Sequence, residues 1–191
     1  MKFVKYIFDF CSAFILLIAL LIFLIIFYLI ATIDTGQNGL FIQKRVGKDG
    51  KIFNIFKLRT MKGSYVSAVT TNAMKITRFG RFLRKYKLDE LPQLINIVKG
   101  EMSWVGPRPD VQGYADVLTG EDRIILSVRP GITGPAQIKY RNEEEILSKV
   151  ENPQQYNDEV LWKDKVEINK NYVKNWNFWQ DFKYLWQTIF H

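Results

Sequence analysis

Between Asp9 and Asp34 the chain carries 24 consecutive uncharged residues, Phe10 to Ile33, and only Ser12 and Thr32 among them fall outside the broad apolar class. As an α-helix this stretch is about 36 Å long, enough to cross a hydrocarbon core of roughly 30 Å. No small-x-small site follows it, because the next residues read Thr32-Ile33-Asp34-Thr35-Gly36, so a cleaved signal peptide is not expected. The flanks constrain how such a helix sits. Lys2 and Lys5 precede it, and Lys44, Arg45, Lys48 and Lys51 follow it. Basic flanks favour the cytoplasmic side, and a straight span puts one of these two sets on the wrong side. A re-entrant helix that enters and leaves by one face satisfies both. A spanning helix is the alternative, since no Pro or Gly interrupts the run to kink it.

Charge is concentrated in the middle of the chain. The 191 residues carry a net charge of +8. Residues 1–39 are neutral overall, 40–90 hold 13 basic and three acidic residues, and 91–191 hold 12 basic and 14 acidic. An anionic surface or a phosphate-bearing ligand is the partner such a block suits, although a solvated charged face has the same composition. A single Cys and a single His, the terminal His191, leave no material for a Cys/His zinc site or an internal disulfide, and make a poor Ser-His-Asp triad. Chemistry must rest on carboxylates, arginines and backbone groups, with or without a hard metal ion.

Leu40 to Val46 and Lys51 to Leu58 are apolar-rich runs around Gly47-Lys48-Asp49-Gly50, which predicts a β-hairpin. Thr60 to Asn72 reads as a polar loop. Met74 to Tyr86 reads as an amphipathic helix, with Ile76, Phe79, Leu83 and Tyr86 on one stripe and Arg78, Arg81 and Lys85 on another. Such a helix suits an anionic membrane surface. Asp89-Glu90-Leu91-Pro92 is expected to open the next helix with Asp89 as its N-cap, and Gly100 to end it. Two rigid turns each carry an arginine: Val105-Gly106-Pro107-Arg108-Pro109 and Arg129-Pro130-Gly131-Ile132-Thr133-Gly134-Pro135. An arginine fork suits phosphate or carboxylate. Asn142 to Val150 and the aromatic Phe178 to Phe190 read as further helices, the last suited equally to a core and to a membrane interface.

These blocks, taken in order, resemble the bacterial sugar transferase family, the monotopic polyprenyl-phosphate phosphoglycosyl transferases, in their minimal form. The resemblance rests on Lys5-Tyr6-Ile7-Phe8-Asp9, Phe41-Ile42-Gln43-Lys44-Arg45-Val46-Gly47, Phe56-Lys57-Leu58-Arg59-Thr60-Met61, Thr77 to Arg84, Leu88-Asp89-Glu90-Leu91-Pro92-Gln93-Leu94 and Lys99 to Pro109. It implies transfer of sugar-1-phosphate from a UDP-sugar to polyprenyl (undecaprenyl) phosphate with release of UMP, at the start of polysaccharide or glycoconjugate assembly. It implies Asp89 as a nucleophile that forms an aspartyl-phosphosugar intermediate. Glu90 is paired with it, either holding Mg²⁺ or handling an acceptor proton, and Asp89 is a second provisional metal ligand. Arg84, Arg108, Arg129, Arg141, Lys57 and Arg59 are candidates for substrate binding, and Asp110 to Tyr114 and Ile138 to Asn142 for the sugar pocket.

The implied architecture is α+β. Residues 1–39 form a membrane anchor helix, expected to be re-entrant. Residues 40–191 form a small, mostly helical cytoplasmic domain with a short β-hairpin and interfacial amphipathic helices. The implied setting is the bacterial inner membrane, with a UDP-sugar, polyprenyl phosphate and membrane lipids as partners, a homodimer as a further expectation, and no nucleic acid. Two positions depart from the family pattern. Leu21-Ile22 stand where the family's helix commonly has Ser-Pro, and Gly100-Glu101-Met102 where it commonly has Gly-Asp-Met. A membrane-associated phosphohydrolase and a non-catalytic domain that binds anionic lipid are the alternative functions.

Overall fold

The computed structural model describes residues 2–63 and 76–190. Helix α1 runs from Lys2 to Thr35 as one α-helix, about 51 Å long. It extends beyond the apolar run at both ends, and most of its large side chains face outward. It is the one helix among the described residues that is long and apolar enough to cross a membrane.

One stripe of α1 nevertheless packs on the rest of the chain. Ala13 is fully buried against Phe53, Ile55, Leu94, Ile97 and Met102, with Leu16 and Leu17 beside it. Asp9 Oδ2 accepts from Ser103 Oγ at 2.6 Å, and Ser12 Oγ from Trp104 Nε1 at 2.8 Å. Lys5 Nζ donates to Asp181 Oδ2 at 2.5 Å inside the protein. The other end of α1 is held as well. Ala31 is fully buried, Phe27 meets the ring of Phe79 at 5.9 Å, and Thr32 Oγ1 accepts from the amide of Gly39 at 3.0 Å. A Cβ at Gly39 would collide with the Tyr28 carbonyl, so the chain leaving α1 folds back tightly along it.

Strands β1 (Leu40–Val46) and β2 (Ile52–Leu58) form the expected antiparallel hairpin, with Leu40 opposite Leu58 and Val46 opposite Ile52. Its turn bends through Asp49 and Gly50, both at positive φ. Helix α2 is Arg78–Lys85, started by Thr77, whose hydroxyl accepts from Gly80 N at 2.9 Å. The expected helix began earlier. Met74 and Lys75 lie outside the described residues, as do the expected loop from residue 64 onward and His191. Ile76 pairs with Met61 in an isolated β-bridge, so it is not part of the helical stripe.

Helix α3 (Gln93–Val98) ends at Gly100, which has φ +76°. Strands β3 (Ser103–Val105) and β4 (Gly131–Thr133) then form a short parallel pair. This pair brings the two Arg-containing turns side by side. Gly106 and Gly131 approach so closely that a Cβ on Gly131 would strike the Gly106 amide nitrogen. Helices α4 (Pro135–Lys139), α5 (Glu143–Ser148), α6 (Pro153–Tyr156), α7 (Trp162–Lys174) and α8 (Phe178–Phe190) complete the chain, with a π-helical turn at Asn157–Leu161 between α6 and α7. Among the described residues the architecture is one apolar N-terminal helix and a mostly helical domain with two small sheets.

Candidate active site

Alternation along β2 buries Phe53 and Ile55, and two residues further on the same face carries Lys57 toward the interior. There Lys57 Nζ donates to Glu90 Oε1 at 2.8 Å. Glu90 belongs to a single 3-10 turn, Leu88–Glu90, wedged between α2 and α3. The turn is reached through Lys87, whose φ of +57° lies in the left-handed region. For a lysine this costs about 1 kcal/mol or more, and such strain concentrates at functional sites. It redirects the chain at the end of α2 so that Glu90 reaches Lys57 of the hairpin.

The N-cap expectation for Asp89 is corrected here. Leu91 and Pro92 separate it from α3, and Pro92 occupies the cap position with no side-chain cap. A six-residue helix starting beyond Pro92 supplies little dipole at Asp89.

The paired carboxylates have different surroundings. Glu90 is buried, and its Oε1 also accepts from Arg108 Nη2 at 3.1 Å. Burial alone would raise its pKa. Lys57 and Arg108 outweigh that and hold the carboxyl well below the usual carboxylate range. Asp89 makes no hydrogen bond or ion pair with the described residues. Burial and the adjacent Glu90 charge push its pKa up, against the pull of Lys57, Arg84 and Lys87. One carboxylate is therefore clamped as an anion, and the other stands beside it with no partner among the described residues.

The remaining predicted site residues divide. Arg84 bears on Asp89 by charge and is ion-paired with Glu144 of α5. Arg108 reaches Glu90, whereas the arginine of the second rigid turn does not. Arg129 lies over the Tyr6 ring at 4.0 Å and ties the domain to the start of α1. Arg141 donates to the carbonyl of Gln187 at 2.8 Å near the end of α8. Arg59 Nε donates to the Asn38 carbonyl at 2.7 Å and its guanidinium covers Phe41. These three are engaged in scaffold contacts. Glu101 accepts from Asn96 Nδ2 and from Lys99 Nζ, both at 2.7 Å. Asn96 is fully buried, and it also binds Asn54 O and Phe56 N of β2, so this group ties α3 to the hairpin.

Sequence reasoning missed Lys87 altogether, quoted Arg45 only as part of a block, and placed Asp110 in a sugar pocket rather than beside the Arg108 loop. Lys87 acts on both carboxylates, and nothing in its residue type signals a left-handed backbone. Arg45 donates to the Pro109 carbonyl at 3.3 Å. Asp110 presents its backbone carbonyl to Val46 N at 2.9 Å, and burial pushes its carboxyl up to about 6 against the pull of Arg45, Lys165 and Arg108. Both brace the loop that carries Arg108. Their signal was present in the block Gln43-Lys44-Arg45 and in the residue after Pro109. Ile138, Lys139, Arg141 and Asn142 line an open groove of about 570 Å³ along α4 and α5.

The family model for bacterial sugar transferases matches residues 1–191. The chain belongs to the bacterial sugar transferase family. Among related proteins, this bacterial sugar transferase is 34% identical to an uncharacterised sugar transferase of Bacillus subtilis, over 97% of this chain and 85% of that protein. It is 38% identical to UDP-glucose:undecaprenyl-phosphate glucose-1-phosphate transferase of Escherichia coli, over 79% of this chain and 32% of that protein. It is 34% identical to undecaprenyl-phosphate galactose phosphotransferase of Salmonella typhimurium, over 98% of this chain and 40% of that protein. The chain thus spans most of the Bacillus relative and well under half of the other two.

Proposed function

We propose that this protein transfers sugar-1-phosphate from a UDP-sugar to a polyprenyl phosphate and releases UMP. The observation that carries the reading is the asymmetry of the carboxylate pair: Glu90 held by Lys57 and Arg108, Asp89 free of partners among the described residues and surrounded by positive charge. The relatives that act on undecaprenyl phosphate support the same chemistry.

In the first step Asp89 attacks the donor phosphorus that bears the sugar. An Oδ–P bond forms, the phosphoanhydride bond to UMP breaks, and UMP leaves. In the second step an oxygen of the acceptor phosphate attacks that phosphorus and releases Asp89. Covalent catalysis divides one transfer between two anions into two easier steps. Arg108 and Lys57 offset the repulsion between phosphates. Glu90, kept ionised far below neutral pH, is too weak a base to take a proton there, so it orients Arg108 and Lys57 rather than relaying protons.

Asp89 and Glu90 also fit a magnesium ion. Mg²⁺ is commonly held by one or two carboxylates together with substrate phosphates. Among the described residues, neither Glu90 Oε2 nor Asp89 accepts a hydrogen bond. The ion would supply further neutralisation of the donor diphosphate.

Both ends of α1 lie on the cytoplasmic side of the membrane. In support, Lys5, Asp9 and Ala13 at one end and Phe27 at the other all touch the same domain. A transbilayer α1 would strip one set of these contacts. The exposed Trp179, Trp186, Ile189 and Phe190 of α8 and Phe82 of α2 suit an interfacial position on the same side. Acceptor-dependent UMP release tests the transferase reading, using full-length protein in lipid vesicles, a panel of UDP-sugars and undecaprenyl phosphate. UMP rising only when a donor and the lipid phosphate are both supplied in multiple-turnover conditions is expected. Release of sugar phosphate to water at the same rate without lipid would instead identify a phosphohydrolase.

A further inference from the structure

Helix α2 carries more aromatic surface than its packing uses. Leu83 is its fully buried anchor. Phe79 meets Phe27 of α1 at 5.9 Å, Phe82 stacks on Phe79 at 6.1 Å with an interplanar angle of 20°, and Tyr86 meets Phe82 edge-on at 5.2 Å. Phe82 is 46% exposed and Tyr86 56% exposed. The four rings form a continuous row that starts on the apolar helix and climbs α2. It ends three residues before Asp89. The rest of α2 is basic, and Arg84 and Lys87, at the end of the row, are the cations that act on Asp89 together with Lys57.

An apolar row that begins at lipid and finishes at cations beside a nucleophile matches an amphiphile with an isoprenoid tail and a phosphate head. An ordinary bilayer lipid also has an anionic head, but no chemistry requires it at Asp89. Arg84 is available to such a head. Its partner Glu144 is solvent-facing, so on that side the pair is open to exchange with another anion.

We propose that Phe27, Phe79, Phe82 and Tyr86 hold the first isoprene units of the polyprenyl phosphate acceptor and deliver its phosphate to Arg84 and Lys87 beside Asp89. The proposal rests on the transferase reading for the identity of the lipid. The chain is laid along α2 with its methyl-branched units against the ring faces. Its distal units continue along the exposed surface of α1, where Phe23, Ile26 and Ile30 already face outward.

Two measurements test it on the full-length protein in vesicles. The first is photo-crosslinking with a benzophenone-bearing polyprenyl phosphate, followed by peptide mapping. Adducts on the α2 peptide, displaced by unlabelled undecaprenyl phosphate and not by phosphatidylglycerol, are expected. Adducts confined to α8, or equal displacement by phosphatidylglycerol, would overturn the proposal and leave α2 as a general surface anchor. Cross-linking of α2 in a chain that released no UMP would uphold the lipid site while overturning the transferase reading. The second is acceptor selectivity in Phe82→Ala/Tyr86→Ala, two exposed positions where truncation spares the core. The preference for undecaprenyl over geranyl phosphate, as a ratio of kcat/KM, should fall about tenfold, and Tyr86→Phe should keep it. An unchanged ratio in the double variant would overturn the proposal.

Discussion

Replacing Lys57 with Met removes the ammonium 2.8 Å from a buried carboxylate while keeping much of the side chain's volume. At an effective dielectric constant of about 20 the gross attraction at that distance is about 6 kcal/mol. Desolvation of the two groups cancels part of it, and Arg108 remains on Glu90 at 3.1 Å. Breaking a buried pair costs about 3–5 kcal/mol when no partner is left. With Arg108 in place, a destabilisation of about 3 kcal/mol is expected for Lys57→Met. The double variant Lys57→Met/Glu90→Gln should recover about 2 kcal/mol of what the two single changes lose together.

The pH dependence has a definite sign. In the wild type the Glu90 pKa is depressed, so its stabilising contribution is complete above the unfolded value of about 4.3 and is lost as pH falls through the folded value. Lys57→Met raises the folded pKa of Glu90. The variant then protonates at higher pH than the wild type, and its deficit shrinks on acidification. Urea unfolding of the detergent-solubilised protein at about pH 7 and about pH 4.5 reads both effects. A coupling below about 0.5 kcal/mol, the size of an exposed pair, would refute the description of Glu90 as a clamped buried anion. A deficit that grew on acidification would refute it as well.

Glu101→Gln should reduce the initial rate far less than Asp89→Asn at saturating substrates, because Glu101 orients Asn96 and Lys99 and does not have to form a bond. Equal losses would move Glu101 into the reacting centre. Cysteines placed at positions 2 and 44, in a Cys11→Ser background that removes the single native thiol, should be labelled from the same side of sealed vesicles. Labelling from opposite sides would establish a spanning α1 and would require the contacts at one of its ends to be absent in the membrane.

The hairpin was legible to within one residue, β2 starting at Ile52 and not Lys51, because two β-rich runs flanked a Gly-bounded turn, and local rules suffice for that. Helix α8 was legible from aromatic spacing alone. The pair β3–β4 was not, because three-residue parallel strands leave no periodicity and depend on long-range approach of Gly106 and Gly131. At the site, the resemblance named Asp89 and Glu90, and basic residue types added Lys57, Arg84 and Arg108 as candidates. Residue types did not separate these from Arg59, Arg129 and Arg141, because an arginine on a rigid turn serves equally as a phosphate fork and as a structural tie. Arg129 over Tyr6 is the second kind. The N-cap reading of Asp89 failed because Pro92 fits two positions equally, and the left-handed turn at Lys87 shifted the start of α3 beyond it. The continuous α1 accords with Leu21-Ile22, where neither residue breaks a helix.

The central claim is that Asp89 itself forms a bond to phosphorus, and intact-protein mass spectrometry tests it most directly. Full-length enzyme is mixed with UDP-sugar in the absence of any polyprenyl phosphate, quenched rapidly, weighed and mapped by peptide. One sugar phosphate per chain, located on Asp89 and accompanied by no more than one equivalent of UMP, is the predicted result. Asp89→Asn should give neither signal, and Glu90→Gln should give the adduct more slowly. A fully active enzyme that carries no adduct at any quench time, and that does not exchange labelled UMP into the donor, would contradict the account.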